Sequence, residues 1–287
     1  MQLITGTTKL LGIIGDPVEH SFSPVMHNRA IASLGVDYVY LPLPVKPEDL
    51  AVAIAGFEAI GLVGFSITIP HKQAIIPLLS EVSDIAQGVG AVNTVYRTEN
   101  GWYGTNTDVA GFISPLQALN RDWSQTKVVI LGYGGAARAV VVGCAQLGCT
   151  EIHVIGRNSQ KLTQFQQSWE HTALPVSINI HLWQQLPELI SQADLLVNTT
   201  PVGMYPDLDS SPVDQATIAR LSANAIAYDL IYTPNPTKFL QQAEQQGAVI
   251  FDGLEMLVQQ GVAAFKCWIG QTPPVDIMRQ SLQEQLS

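Results

Sequence analysis

Apolar residues along this chain come in short runs set apart by stretches of helical spacing. The clearest is Val128-Val129-Ile130-Leu131, which leads through Gly132-Tyr133-Gly134-Gly135 into a helical pattern over residues 136–147. An unbroken apolar run of strand length reads as a strand buried on both faces of a parallel sheet, so this segment is strand, glycine turn, helix. Upstream, strand-like runs at residues 11–14, 38–41, 64–67 and 92–96 alternate with helical patterns at 25–34 and 47–60, the spacing of βαβ units. Glu99-Asn100-Gly101 marks a hairpin joining residues 93–97 to 102–105, and 108–119 predicts a helix. The polar stretch 120–126 reads as the linker into the glycine turn. Downstream, strands are expected at 152–155, 195–198, 225–230 and 248–251, followed by closing helices at 254–269 and 275–286. A six-stranded nucleotide sheet has no place for those two helices, so they are expected to return and pack on the first domain.

Composition narrows the class. A chain of 287 residues, 47% hydrophobic and 13% charged, suits two moderate cores better than one. The formal charge of −10 argues against nucleic acid and anionic membranes as partners, since both are attracted to basic faces. No apolar run approaches the ~18–20 residues that span a bilayer, and the N-terminus lacks the layout of a signal peptide, so a cytoplasmic protein is expected. Cys144, Cys149 and Cys267 have no metal-ligand spacing and read as buried, reduced thiols. The six histidines, His171 among them, form no helical pair with a carboxylate of the kind that makes a metal site, so no metal is expected.

The glycine turn carries the first candidate chemistry. In a Rossmann-type unit Gly132 would make the turn, Gly134 would let the backbone approach a pyrophosphate, and Ala137 would take the third small position against the strand. Gly135 and Ala136 would then open the helix whose free N–H groups and positive dipole end receive the phosphates. The plainer reading is a glycine-rich turn with no ligand. An NAD site of this kind carries an acid at the end of the second strand, about 20 residues past the glycines. Here the segment is Val154-Ile155-Gly156-Arg157-Asn158-Ser159-Gln160-Lys161, with no acid between Glu151 and Glu170. Arg157 offers a fork to a 2′-phosphate and Lys161 a second cation, which points to NADP; two cations at a helix start are otherwise mildly unfavourable.

Four polar stretches stand where strands end. In residues 15–24, Ser23 before Pro24 reads as an N-cap with proline at the first helical position, and with Ser21 it could hold a carboxylate. In residues 66–72, Lys72 falls just past a strand end, either a solvated charge or a proton carrier. Residues 90–94 and 104–108 contribute Asn93 and Asp108, which would serve equally as turn residues or a helix cap. Taken singly, each has an ordinary structural explanation.

Together they carry a resemblance. His20-Ser21-Phe22-Ser23-Pro24, Thr68-Ile69-Pro70-His71-Lys72, Gly90-Ala91-Val92-Asn93-Thr94, Asn106-Thr107-Asp108, Gly132-Tyr133-Gly134-Gly135-Ala136, the 198–204 and 229–234 segments and Gly253-Leu254-Glu255-Met256-Leu257 resemble, in order and spacing, the shikimate dehydrogenase family over nearly the whole chain. That resemblance implies NADPH-dependent, reversible reduction of 3-dehydroshikimate to shikimate, on the route to aromatic amino acids. It implies that Ser21 and Ser23 hold the substrate carboxylate, and Thr68, Asn93 and Gln260 its hydroxyls, with Tyr232 nearby. Lys72 and Asp108 would form the acid–base pair, while Thr200 and Gly253 join the glycine turn at the cofactor. The chemistry is coherent, because hydride transfer to a ketone leaves an alkoxide that needs a proton and a nearby positive charge. This chain departs from the family pattern at Ser66, where asparagine is common, and at Gly156 and Asn158, which flank Arg157 in place of an Asn-Arg-Thr-like segment.

The expected architecture is therefore α/β throughout: a substrate domain over 1–110, a Rossmann NADP-binding domain over 111–250, and C-terminal helices over 251–287. A homodimer stands as the candidate oligomer. Two other functions stay open at this point: an NAD-using quinate/shikimate dehydrogenase, against which Arg157 and Lys161 argue, and a non-catalytic dinucleotide sensor, which has no need of both Lys72 and Asp108.

Overall fold

The computed structural model describes residues 3–170 and 177–286, so His171 lies outside the described residues. Contacts group the chain into two compact units, residues 1–111 with 257–287, and residues 112–256.

In the first unit the chain runs β1 (Lys9–Gly15), α1 (Ser23–Leu34), β2 (Tyr38–Pro44), α2 (Leu50–Ala59), β3 (Gly64–Ile67), α3 (His71–Ala74), β4 (Glu81–Val82), α4 (Asp84–Val89), β5 (Thr94–Thr98) and β6 (Gly101–Thr105). The sheet order is β2-β1-β3-β5-β6-β4. The βαβ expectation holds for β1, β2 and β3, which pair in parallel, and fails at β5, which pairs antiparallel with β3; the hairpin expected at Glu99-Asn100-Gly101 forms, pairing β5 antiparallel with β6. The physical reason lies in the connection. Pro70 and Pro77 interrupt the segment after β3, which therefore carries the short α3 and α4 and the edge strand β4 in place of a single crossover helix. One sheet face buries Phe65, Val92, Val95 and Trp102 against Leu50 and Ile54.

The second unit contains most of α5 (Asp108–Gln117), then β7 (Lys127–Leu131), α6 (Gly135–Leu147), β8 (Glu151–Gly156), α7 (Ser159–Gln167), β9 (Asn179–Leu182), α8 (Leu186–Leu189), β10 (Leu195–Asn198), α9 (Gln215–Ile218), β11 (Ile226–Asp229), α10 (Lys238–Gln245) and β12 (Val249–Phe251). All pairings are parallel, in the order β12-β11-β10-β7-β8-β9. Chain order reverses between β7 and β10, which opens a crevice at the carboxyl ends of those strands.

The chain then forms α11 (Gly253–Ile269) and α12 (Val275–Leu286). From residue 257 onward these belong to the first unit: α12 packs along α1, and Trp268 lies against Gly64 and donates to the Val95 carbonyl at 2.9 Å.

The linker expected at residues 120–126 joins α5 to β7 inside the second unit and so leads into the glycine turn, with Trp123 buried beneath the Arg121 guanidinium, 4.6 Å from its ring centre. The expectation for the cysteines is corrected in one case. Cys267 is exposed because it precedes the core-facing Trp268 on α11, whereas Cys144 and Cys149 are buried; all are free thiols.

Candidate active site

Lys72 leaves the end of β3 on the single turn of α3, whose position is set by two contacts. The buried His71 ring meets the Val45 carbonyl at 2.7 Å, and the Lys72 carbonyl accepts the Val92 N–H at 2.7 Å. Its Nζ donates to Asp108 Oδ2 at 2.8 Å. The other carboxylate oxygen, Oδ1, accepts from Asn93 Nδ2 at 2.8 Å, so Asp108 is held on both sides. Asn93 is itself fixed: its Oδ1 accepts the Thr107 N–H at 2.8 Å and the Thr94 hydroxyl at 3.0 Å, and the two threonine hydroxyls meet at 3.0 Å. Asn106 caps the turn, accepting the Asp108 N–H at 3.0 Å and donating to the Ala91 carbonyl at 3.0 Å. Exposure falls from 32% for the Lys72 side chain and 19% for that of Asp108 to 3% for Asn93. A buried amide network therefore presents one ion pair to its surroundings, and the ammonium keeps two further N–H directions.

The serine stretch forms differently from expectation. Phe22 already has helical torsions (φ −82°, ψ −6°) and its carbonyl accepts the Met26 N–H at 3.1 Å, so α1 starts at Ser23 and no side chain caps it. Ser23 is not the N-cap, because the residue before it has already turned helical. Ser21 serves locally instead, its Oγ accepting the Ser23 N–H at 3.3 Å. Ser23 and Ser66 are both buried at 7%, and Thr68 is half-buried, its N–H donating to the Ile14 carbonyl at 2.9 Å. Gln260, on α11, donates its amide to the Leu257 carbonyl at 2.8 Å.

In the second unit the glycine turn and Thr200 meet at the crevice, while Arg157 and Lys161 follow the end of β8. Gly132 has φ +107°, and a Cβ there would lie 2.7 Å from the Thr199 hydroxyl, so both torsion and space require glycine. Thr199 donates to the Leu131 carbonyl at 2.7 Å, which ties the ends of β7 and β10 together, and Thr200 donates to Asn198 Oδ1 at 2.7 Å, which shapes the turn after β10. α6 begins at Gly135 with no side-chain cap on Gly134, and the space where a Cβ would stand on Gly134 or Gly135 is empty to 4 Å. The N–H groups of that first turn, at Gly135, Ala136 and Ala137, thus carry no side-chain cap, and no side chain crowds the two glycines beside them, as an anion-binding helix start requires. Arg157 is exposed beyond β8 and its guanidinium lies 5.1 Å from the Trp183 ring centre. Asn158 caps α7, accepting the Lys161 N–H at 2.9 Å. The residues present fit a dinucleotide with a 2′-phosphate: free helical N–H groups at one end, a stacked guanidinium and a lysine at the other.

Two of the predicted residues have evident structural work. A Cβ on Gly253 would collide with the Leu230 carbonyl, and its N–H donates to Ile231 O at 3.1 Å, so glycine is needed there for close packing. Tyr232 is half-buried one residue further on, in the loop after β11. Behind this loop Asp229 is fully buried, accepting from Thr237 at 2.7 Å, Asn198 at 3.0 Å and the Ile231 N–H at 3.1 Å. Burial pushes its pKa up to about 6 even though these hydrogen bonds oppose the shift.

Sequence reasoning missed Trp183 beneath Arg157, and it missed why Gly156 departs from the family pattern. A Cβ at Gly156 would run into the Tyr133 ring, so the tyrosine in the glycine turn and the glycine at the end of β8 are a matched pair. Tyr133 is the signal: an aromatic inside a glycine turn needs somewhere to lie. Among the described residues no cluster of three or more His, Cys, Asp or Glu is placed to hold a metal, and no helix is long and apolar enough to cross a membrane.

Comparison with known proteins agrees along the whole length. Residues 13–95 match the shikimate dehydrogenase substrate binding domain, 116–232 the shikimate / quinate 5-dehydrogenase family, and 253–283 the shikimate 5'-dehydrogenase C-terminal domain. A shikimate dehydrogenase (NADP(+)) of Gloeothece citriformis is 62% identical over 287 residues, covering 100% of both chains. Among solved structures, shikimate 5-dehydrogenase from Listeria monocytogenes in complex with shikimate and NAD superposes with a TM-score of 0.90 at 33% identity, covering 98% of this chain and 99% of that one. The Thermus thermophilus enzyme in complex with NADP(H) and shikimate superposes with a TM-score of 0.85 at 32% identity, covering 96% and 99%.

Proposed function

The chain belongs to the shikimate dehydrogenase family, as an NADP-dependent oxidoreductase acting on the CH–OH group of shikimate, and from that premise we propose how its own residues divide the work. Lys72 carries the proton and Asp108 holds it in place. The observation that carries this reading is the 2.8 Å contact between Lys72 Nζ and an Asp108 carboxylate whose other oxygen is taken by Asn93. With both its oxygens engaged, Asp108 is suited to hold the ammonium, while Lys72 has N–H groups left to offer a substrate oxygen.

NADPH, when bound, supplies the hydride to the ketone carbon of 3-dehydroshikimate. The carbonyl oxygen, placed at the ammonium, gains negative charge as its π bond breaks; Lys72 stabilises that charge and then transfers a proton from Nζ, so an O–H forms as an N–H breaks. Solvent reprotonates the amine, and shikimate oxidation runs the same steps in reverse. Ser21 and Ser23 take the substrate carboxylate, while Thr68, Asn93 and Gln260 take the ring hydroxyls and Tyr232 adds a further substrate contact. Gly132, Gly134, Gly135 and Ala136 receive the pyrophosphate, Thr200 and Gly253 shape the crevice, and Arg157 with Lys161 takes the 2′-phosphate. In this reading residues 1–110 and 251–287 serve the substrate and 111–250 the cofactor. A cytoplasmic location accords with the free thiols of Cys144, Cys149 and Cys267.

The decisive assay follows absorbance of the reduced nicotinamide while the protein is mixed with shikimate or quinate and with NADP or NAD. Fast turnover only with shikimate and NADP is expected. Equal or faster turnover with quinate and NAD would move the protein to the other branch of its family, and tight NADP binding with no turnover would leave it a sensor.

A further inference from the structure

Tyr40, on β2, is 1% exposed, and its hydroxyl is buried without a hydrogen-bond partner. Buried O–H groups nearly always have one, because an unmade hydrogen bond inside a protein is costly. This ring is not free to search for a partner. The Asn28 side chain clamps the Tyr40 backbone from α1, accepting its N–H at 2.9 Å and donating to its carbonyl at 2.8 Å. The ring is stacked on His27 at 4.5 Å between centroids and leans on Trp268 at 5.6 Å. Tyr40 pairs with Leu11 of β1, and Ser66 of β3 pairs with Ile13, two residues along, so both side chains stand on the same face of the sheet. Burial pushes the phenol's pKa up, and the hydroxyls of Ser66 and Ser23 pull it partly back, which places both serines beside it although neither closes a hydrogen bond. A rigid, unsatisfied donor is therefore fixed beside the hydroxyl of Ser23, which the functional reading gives to the substrate carboxylate, and that of Ser66, which lies two residues before Thr68 on the same strand end.

We propose that Tyr40 is a positioning residue for the substrate: when Ser66 turns its proton to a substrate oxygen, the Tyr40 hydroxyl donates to the oxygen of Ser66, with Ser23 as the second receiver. This rests on the site reading above and adds a residue to it. A serine hydroxyl has one proton and two acceptor positions, so pointing that proton at a ligand leaves its oxygen in need of a donor. The phenol is already aligned to supply one, and two O–H groups in series polarise each other and strengthen the outer bond. The short side chain at position 66 thereby gains a fixed orientation that it has no length to secure for itself. The ring does not touch the reacting atoms, and the phenol takes no part in proton transfer.

The test is Tyr40→Phe, which keeps the ring and its stacking and deletes only the hydroxyl, together with Ser66→Ala and the double variant. Steady-state kinetics with shikimate and NADP, calorimetric binding of shikimate, and thermal midpoints without ligand are compared. We expect KM and Kd for shikimate to rise roughly ten-fold in Tyr40→Phe, the size of one lost buried hydrogen bond. kcat and the KM for NADP should stay within about two-fold, and the ligand-free midpoint should hold or rise because an unsatisfied group has gone. In the Ser66→Ala background the same change should add less than about two-fold, since the hydroxyl it acts through is missing. Parental shikimate affinity in Tyr40→Phe would overturn the inference, as would an undiminished penalty on top of Ser66→Ala. A parent protein that neither binds nor oxidises shikimate would bring down the functional reading itself, and this inference with it.

Discussion

Asn93, Thr94, Thr107 and Asp108 direct their hydrogen bonds at one another, whereas the first turn of α6 and the Arg157 guanidinium leave theirs open. The first region is a closed network with a single ion pair at its edge. The second is an uncapped helix terminus and an exposed cation. On the proposed reading, this contrast follows what each would hold. A small ring with hydroxyls at defined positions must be seated to within fractions of an ångström for hydride and proton to arrive together, so its partners are fixed in advance. A pyrophosphate and a 2′-phosphate bring their own charge and many acceptors, so open donors and cations suffice to bind them.

The contrast is broken most severely at its ion pair. Lys72→Ala is expected to lower kcat by about 10²- to 10⁴-fold while NADPH binding, followed by the fluorescence of the reduced nicotinamide, changes little. A comparable loss of NADPH affinity would mean that the closed network serves the cofactor as well.

Next in size is a pH effect on the cofactor-side unit. Asp229 has its pKa raised to about 6 from the model-peptide value of 3.8, so the native state binds a proton there that the unfolded state has released. The stability it contributes is present below pH ~4 and lost as pH rises through ~6, a change on the order of 2–3 kcal/mol. Chemical denaturation at pH 4 and pH 7 should therefore show the parent gaining more from acid than Asp229→Asn does. Identical pH dependence in the two proteins would show that the buried carboxylate is not the source.

The open region is sharpened by smaller changes. Arg157→Ala should raise the KM for NADP by roughly ten-fold or more and leave that for NAD within about two-fold, because only the 2′-phosphate loses its partner. Trp183→Leu should act in the same direction but only about three-fold, since it removes the surface on which the guanidinium is stacked and not the charge itself. Equal effects of Trp183→Leu on both nucleotides would instead point to a general loosening of the β9 end.

The extent to which all this was legible varies by element. The β7 run, the glycine turn and α6 were readable because burial on both sides of a parallel strand leaves an apolar run, and a tight turn demands glycine. β4, of two residues, and β9, an edge strand of four, carry too few positions to show a period. Ser23 followed by Pro24 had the look of an N-cap, yet the torsions of Phe22 moved the helix start by one residue. Lys72 and Asp108 could be paired only through resemblance, since 36 residues separate them and neither segment alone says where the other will lie.

Sequence by itself determined the longer strands and helices and the glycine turns between them, the glycines without which the backbone could not pass, and the chemical types available, because these depend on local sterics and on the period of burial. Tertiary structure alone decided that β5 returns antiparallel, that Asn93 holds the Asp108 carboxylate, that Trp183 lies under Arg157 and that the Tyr40 hydroxyl stands unpaired beside Ser66. Those facts depend on which distant segments share a face, and a hydrogen bond made or left unmade across such a gap has no signature in either segment taken alone.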